Sequence, residues 1–236
     1  MDQSILDFLP EYRGLPFVDQ VTIADLSRMS SGLDWKENYH PPFNNPTAKA
    51  YYGTNVEQLV FSKKFIEEPG KKFKYINANT QLLTTLLCKA TKKSLVDYCS
   101  EKIWNSLKMS QSALWGLDSK GGVEKGFFCI YTTAKDYARL EQFLLQKDQW
   151  DGKQLLKEDF IYKITHPALA PEYGYGTWID YEFKPEFYLY QGHQGQYIII
   201  IPEHKLVIVR LGKKNNNDLH PKKNYEKKST SISKKY

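Results

Sequence analysis

Cysteine is scarce in this chain of 236 residues: Cys88, Cys99 and Cys129 are the only three, and no two of them form a C-x-x-C pair. That excludes a disulfide framework or a cysteine-built metal site as the organising feature, and three buried thiols are the expected state. Long apolar runs are missing as well. No stretch approaches the roughly 20 residues that cross a bilayer. The opening MDQSILDFLPEYRG lacks the basic residues and apolar run of a secretory leader. The compartment therefore stays open, with a periplasmic or secreted location expected if an upstream segment carries a leader. There is no Gly-rich phosphate loop, no H-E-x-x-H and no internal repeat, so neither a metal nor a cofactor is expected.

A net excess of basic charge is found in one place only. The formal net charge is +6, and residues 213 to 236 alone hold eight Lys against Asp218 and Glu226, so the tail carries the whole excess. The body is close to neutral, without the patterned basic surface of a nucleic-acid binder. The tail could hold RNA, an acidic polymer or a membrane surface. Its Lys, Asn and Ser content without apolar periodicity reads instead as a solvated, disordered end, which puts one domain at 1–212 and the tail at 213–236.

What is present suffices for a sizeable core, at 41% hydrophobic and 14% aromatic residues. Thr22 with Asp25, Ser94 with Asp97 and Thr133 with Asp136 have capping-box spacing and predict helix starts. Gly32 ends the first of these helices, and residues 38 to 55 read as an irregular loop. Leu82, Leu83, Leu86, Leu87 and Ala90 recur at helical spacing, as do Leu95, Tyr98, Cys99 and Ile103. Tyr137, Leu140, Phe143 and Leu144 mark a further helix, and LLKEDFIYKI another. From Tyr173 the period changes. YGYGTWIDYEF, EFYLYQGHQGQYIIII and KLVIVRLG predict antiparallel strands, with Pro202 to His204 as a tight connection. Helices followed by strands make the class α+β.

Within the second of those strands, Gly192 and Gly195 flank His193, where glycine normally weakens a strand. Either the chain bends there, or its backbone must approach something closely with the histidine facing it. Tyr75-Ile76-Asn77 is a Y-x-N string that composition alone would produce about once by accident. Trp35, Trp104 and Trp178 read as packing residues, and Ser30-Ser31-Gly32 as a helix stop.

The segments VTIADLSRMSSGLDW, PGKKFKYINANTQLL, SLVDYCSEKIWNSLKM, GGVEKGFFCIYTTAKDYARL and GHQGQYIIIIPEHKLVIVRLG, in that order, resemble the serine β-lactamase and penicillin-binding-protein-like superfamily. The likeness is to its class C β-lactamase, esterase and 6-aminohexanoate-dimer hydrolase branch. The resemblance implies an acyl-enzyme hydrolase of esters, amides or peptide-like small molecules. It implies Tyr75 as proton carrier and Asn77 as binder of the acyl side chain. The third motif, H-x-G, falls on His193-Gln194-Gly195, where Gly195 and the Gln196 N–H would form one wall of the cleft and one oxyanion donor. Histidine in place of the lysine of other members makes the local charge titratable instead of fixed. This tilts the expectation away from β-lactams and toward esters and amides.

The first motif, S-x-x-K, would stand upstream of the matched segments, and its sole occurrence here is Ser231 to Lys234 in the tail. The chain therefore reads as a truncated, inactive fragment, with a non-catalytic binder of peptides or cell-wall fragments as the alternative. A fold missing its first strands leaves apolar sheet surface around Ile198 to Ile201, so self-association is expected.

Overall fold

The chain is described by a computed structural model at residues 1–39, 44–128, 130–146 and 149–213. Three single 3-10 turns, Ile5–Asp7, Pro10–Tyr12 and Val18–Gln20, open it. They bury Ile5, Leu9, Tyr12 and Val18 against the helices that follow.

The first helix, α1 (Ile23–Ser27), starts at a complete capping box: Asp25 N–H donates to Thr22 Oγ1, and Thr22 N–H donates to the Asp25 carboxylate. It is followed by α2 (Pro46–Tyr52), α3 (Val56–Phe61), α4 (Asn77–Thr91) and α5 (Leu95–Cys99), the last continuing as a π-helical turn over Ser100–Trp104. Helix α2 lies inside the stretch expected to be irregular. Asn45 caps it and Pro46 takes its first position, a start signal that the surrounding proline and asparagine masked. At Ser94 and Thr133 the acid three residues on meets the cap's hydroxyl. Leu26, Leu33, Trp35, Val56, Val60, Phe65, Ile76, Leu82 and Leu86 close the core of this helical part.

Two short ribbons frame the remaining helices: β1 (Leu114–Trp115) with β2 (Ile130–Tyr131), and, after α6 (Ala134–Leu145), β3 (Gln149–Trp150) with β4 (Lys153–Gln154). Helix α7 (Glu158–Thr165) leads into a four-stranded antiparallel sheet in the order β5 (Trp178–Asp180), β6 (Phe187–Gly192), β7 (Gln196–Ile201), β8 (Leu206–Arg210). The single strand expected across EFYLYQGHQGQYIIII is in fact two, because the chain reverses over His193–Gly195 and pairs Gly192 with Gln196. The left-handed backbone at Gln194 (φ 59°) and Gly195 (φ 83°) makes that reversal possible. One face of the sheet packs Ile179, Tyr188 and Ile200 against Leu145 of α6.

The other face is less covered. Ile199 pairs with Ile208 and Ile201 with Leu206, so these four share a side, and Leu206 and Ile208 are 42% and 41% exposed. The most exposed apolar residues of this face lie on edge strand β8, while Ile199 and Ile201 of β7 are partly buried and Ile200, on the other face, is fully buried. We expect wild-type protein to self-associate through this face and Leu206→Lys with Ile208→Lys to shift its size-exclusion elution toward the monomer. A wild-type chain that already elutes as a sharp monomer removes the idea. Among the described residues no helix is long and apolar enough to cross a membrane. Cys88 and Cys99 are half-buried, with burial pushing both thiols up. Cys129 and the Lys-rich tail from 214 lie outside the described residues.

Gly32 fixes the approach to the cleft described next. The helix stop expected at Gly32 comes earlier, since α1 ends at Ser27 and Met29 is already left-handed (φ 59°); Gly32 is itself left-handed (φ 74°) and its carbonyl accepts from the Ile66 N–H at 2.9 Å. A Cβ there would stand 2.1 Å from the Glu67 carbonyl oxygen. Gly32→Ala should accordingly cost about 2 kcal/mol, from a forbidden backbone angle together with a backbone clash, read as a lower urea midpoint. An unchanged midpoint would mean that the 30–33 and 65–67 segments separate easily.

Candidate active site

Helix α4 begins at Asn77 without a capping side chain of its own, because the residue before it is Ile76, buried in the helical core. Glu37 fills that role from 40 positions earlier. Its Oε2 accepts from the Asn77 backbone N–H at 2.8 Å, which places an anion at the positive end of a 15-residue helix. The same carboxylate takes the Asn77 side chain through Nδ2 to Oε1 at 3.1 Å, and Nδ2 also donates to the Tyr39 hydroxyl at 2.9 Å. Tyr39 in turn lies flat on His193, with ring centroids 5.6 Å apart and planes 20° from parallel. The Y-x-N string at the start of α4 and the H-x-G turn between β6 and β7 are therefore brought together through Tyr39.

Tyr75 sits one step before the core residue Ile76, and its ring packs against Trp178 at 5.3 Å and Tyr173 at 6.1 Å. Phe73 and Met29 complete this cluster, which joins the helical part to the sheet. The Lys74 N–H donates to the Met29 carbonyl at 2.8 Å and ties the segment before Tyr75 to the turn that follows α1. Trp178, expected only to pack, thus also touches the candidate proton carrier.

The H-x-G turn is anchored from behind. Arg210 donates to the Gly195 carbonyl, and the Gln196 side-chain amide exchanges hydrogen bonds with the backbone of Gly212. A Cβ at Gly212 would meet the Gly195 carbonyl oxygen at 2.6 Å, so only glycine allows this closeness. His193 and Gln194 face solvent, while Gly195 is buried.

The electrostatics run against an anionic Tyr75. Burial, followed by the charge of Glu37, pushes its phenol up to about 12. Burial also raises the Glu37 carboxyl, opposed by the bonds from Asn77 and Tyr39, and the Tyr39 hydroxyl is raised by burial and then by Glu37. Although 40% of Tyr39 is exposed, its hydroxyl points inward at this group. Glu37 and Tyr39 were not singled out by sequence pattern, since their partner Asn77 is some 40 positions away and no local periodicity encodes that pairing.

Elsewhere, a cavity of about 440 Å³ between α7 and the sheet is lined by Tyr162, His166, Tyr181 and Phe187 among others, and shares no residue with this group. Volume therefore does not mark the same place as chemistry. His166 there stacks on Tyr162 at 3.8 Å. Among the described residues no three His, Cys, Asp or Glu gather as a metal site would need.

Comparison with known proteins bears on the family and the fold. A family model described as Beta-lactamase matches residues 1–231. Among solved structures, one described as a 6-aminohexanoate-dimer hydrolase from Bacillus anthracis superposes with a TM-score of 0.83 at 24% identity, covering 98% of this chain and 65% of that one. A penicillin-binding protein from Bacillus halodurans gives 0.72 at 18% identity, over 98% and 78%. A class C beta-lactamase gives 0.67 at 17% identity, over 98% and 74%. This chain thus spans just under two thirds of the length of the first.

Proposed function

Because the chain belongs to the Beta-lactamase family, we propose that its cleft serves serine-dependent hydrolysis of a small ester or amide. A serine presented by an S-x-x-K helix attacks the carbonyl, an acyl-enzyme forms, and water releases the acid. Tyr75 carries the proton between serine and leaving group, for which a nearby lysine must offset the burial that now holds its phenol at about 12. Asn77 orients the acyl side chain, and His193 forms part of one wall. The Gln196 N–H and the serine's own N–H converge on the oxyanion, and loss of one such donor typically costs roughly 10²–10³ in rate.

The convergence of Tyr75-Ile76-Asn77 and His193-Gln194-Gly195 on Tyr39 supports this reading most directly. The nucleophile is the missing part: no S-x-x-K string falls among the described residues, and Ser231 to Lys234 lies outside them. The chain by itself should therefore take up neither a fluorescent penicillin nor a fluorophosphonate. Stoichiometric labelling would overturn this, and an adduct on Ser231 would transfer the role to the tail.

A second reading, a non-catalytic binder that keeps the cleft, is favoured by one observation: the charged neighbour of Tyr75 is a carboxylate and not a cation. Binding of an acyl amide by a full-length form that has no S-x-x-K serine would support it.

A further inference from the structure

The cavity of about 440 Å³ beside α7 lies at the opposite end of the sheet from the H-x-G turn. Strands β6 and β7 meet at His193–Gly195, whereas the cavity touches Phe187 and Tyr188 at the start of β6 and Pro202 and Glu203 just past the end of β7. Six residues of strand at about 3.3 Å each put roughly 20 Å between the two places. The volume is that of a small-molecule pocket, a class running from about 300 to 1,000 Å³.

Its floor is apolar and its walls are aromatic. Leu144 of α6, Ile161 of α7 and Phe187 and Tyr188 of β6 are all buried and line it. Tyr162, His166 and Tyr181 line it as well. The Tyr162 ring lies flat on His166, with planes 21° from parallel, and His166 meets Tyr181 edge-on at 79°, so Tyr162 and Tyr181 stand at a steep angle to each other. Hydrogen bonds hold this corner. The Tyr181 hydroxyl donates to the Thr165 carbonyl at 2.6 Å, and with its proton on Nδ1 His166 donates to the Tyr162 carbonyl at 3.1 Å. Aromatic rings set around a space attract cations through the ring quadrupole. The charges at the exposed rim have the same preference: Glu158, Glu186 and Glu203 stand there against one lysine, Lys184, which is already paired with Glu186. Glu158 also offsets the positive end of α7, which leaves Glu203, without an ion pair among the described residues, as the charge with no other task.

We propose that this cavity is a second binding site, separate from the cleft, for an organic ammonium ion with an apolar or aromatic body. The body fills the floor over Leu144 and Ile161, and the ammonium group sits among the rings beneath Glu203. None of these residues belongs to the group around Tyr75, so the proposal stands whether or not the cleft hydrolyses an ester.

The probe is benzyltrimethylammonium, titrated into the whole chain while the ring signals of Tyr162 and Tyr181 are followed by NMR, with 3-phenylpropanoate as an anion of similar size. The ammonium ion should bind about tenfold more tightly than the carboxylate. Tyr162→Leu, at a ring 62% exposed and so outside the core, should weaken the ammonium ion about fourfold, the worth of one exposed cation–π contact. Glu203→Gln should weaken it about twofold, the worth of one exposed charge, and should leave 3-phenylpropanoate no weaker, which separates loss of charge from loss of shape. Equal binding of the two probes would show selection by shape alone and overturn the proposal. So would no binding, an ammonium affinity unchanged in both variants, or shifts confined to Tyr39 and His193, which would put the compound in the cleft instead.

Discussion

A longer form of this chain, with an S-x-x-K helix ahead of residue 1, should hydrolyse p-nitrophenyl acetate, and Tyr75→Phe should lower its kcat by roughly 10²–10⁴, the usual worth of a positioned proton carrier. The reasoning starts from the phenol. Burial beside Trp178 and Tyr173, with Glu37 as its charged neighbour, holds Tyr75 at about 12, so a neutral-pH phenolate needs a cation brought to it. An S-x-x-K lysine would be that cation, and the Tyr75 hydroxyl would then shuttle the serine proton. Removing only the hydroxyl keeps the ring that packs against Trp178, so the fold should hold and KM should change little. Residues 1–236 alone should show no hydrolysis of p-nitrophenyl acetate or nitrocefin above a Tyr75→Phe control. A Tyr75→Phe variant of the longer form that keeps its kcat would remove Tyr75 from the chemistry.

Glu141→Gln should stabilise the protein by about 3 kcal/mol at pH 7, an order-of-magnitude figure from linkage between folding and protonation. Glu141 is 2% exposed on α6, its Oε2 has no hydrogen-bond partner, and burial pushes its carboxyl from 4.5 up to about 8. Tyr190 is the ionisable group beside it, and its hydroxyl is raised by burial and then by Glu141. The direction follows from which state holds the proton. Between pH 4.5 and about 8 the folded chain keeps the proton that the unfolded chain has released. Stability therefore falls as pH rises through that window and levels off above it. Glutamine cannot ionise, so the gain should be absent below the window and grow through it. At pH 7 it corresponds to roughly 5–10 °C in Tm for a domain of this size. Equal Tm values for the two proteins at pH 5 and pH 8 would show that Glu141 finds a partner or water in solution.

Features encoded within a few residues could be read from the sequence. The capping pairs at Thr22, Ser94 and Thr133 each start a helix, and the leucine spacing in α4 and the aromatic run from Trp178 gave the α+β order. What required tertiary structure was less visible. The reversal at His193–Gly195 resembled a strand interior because Tyr188 to Ile201 is β-forming on both sides, and only the left-handed Gln194 turns it into a hairpin. Helix α2 was hidden in a Pro- and Asn-rich stretch whose Asn45-Pro46 start is also a turn signal. Tyr75, Asn77 and His193 could be named as candidates, but Glu37 and Tyr39 could not. A buried carboxylate capping a helix 40 positions away leaves no periodic trace.

Intact-protein mass spectrometry of the longer form, quenched during turnover of p-nitrophenyl acetate and followed by peptide mapping, tests the serine-hydrolase cleft most directly. The account predicts one acetyl group per chain on the S-x-x-K serine, persisting longer in Tyr75→Phe. Turnover without any acetylated serine, or acetylation confined to Ser231 or another residue of the tail, would contradict it.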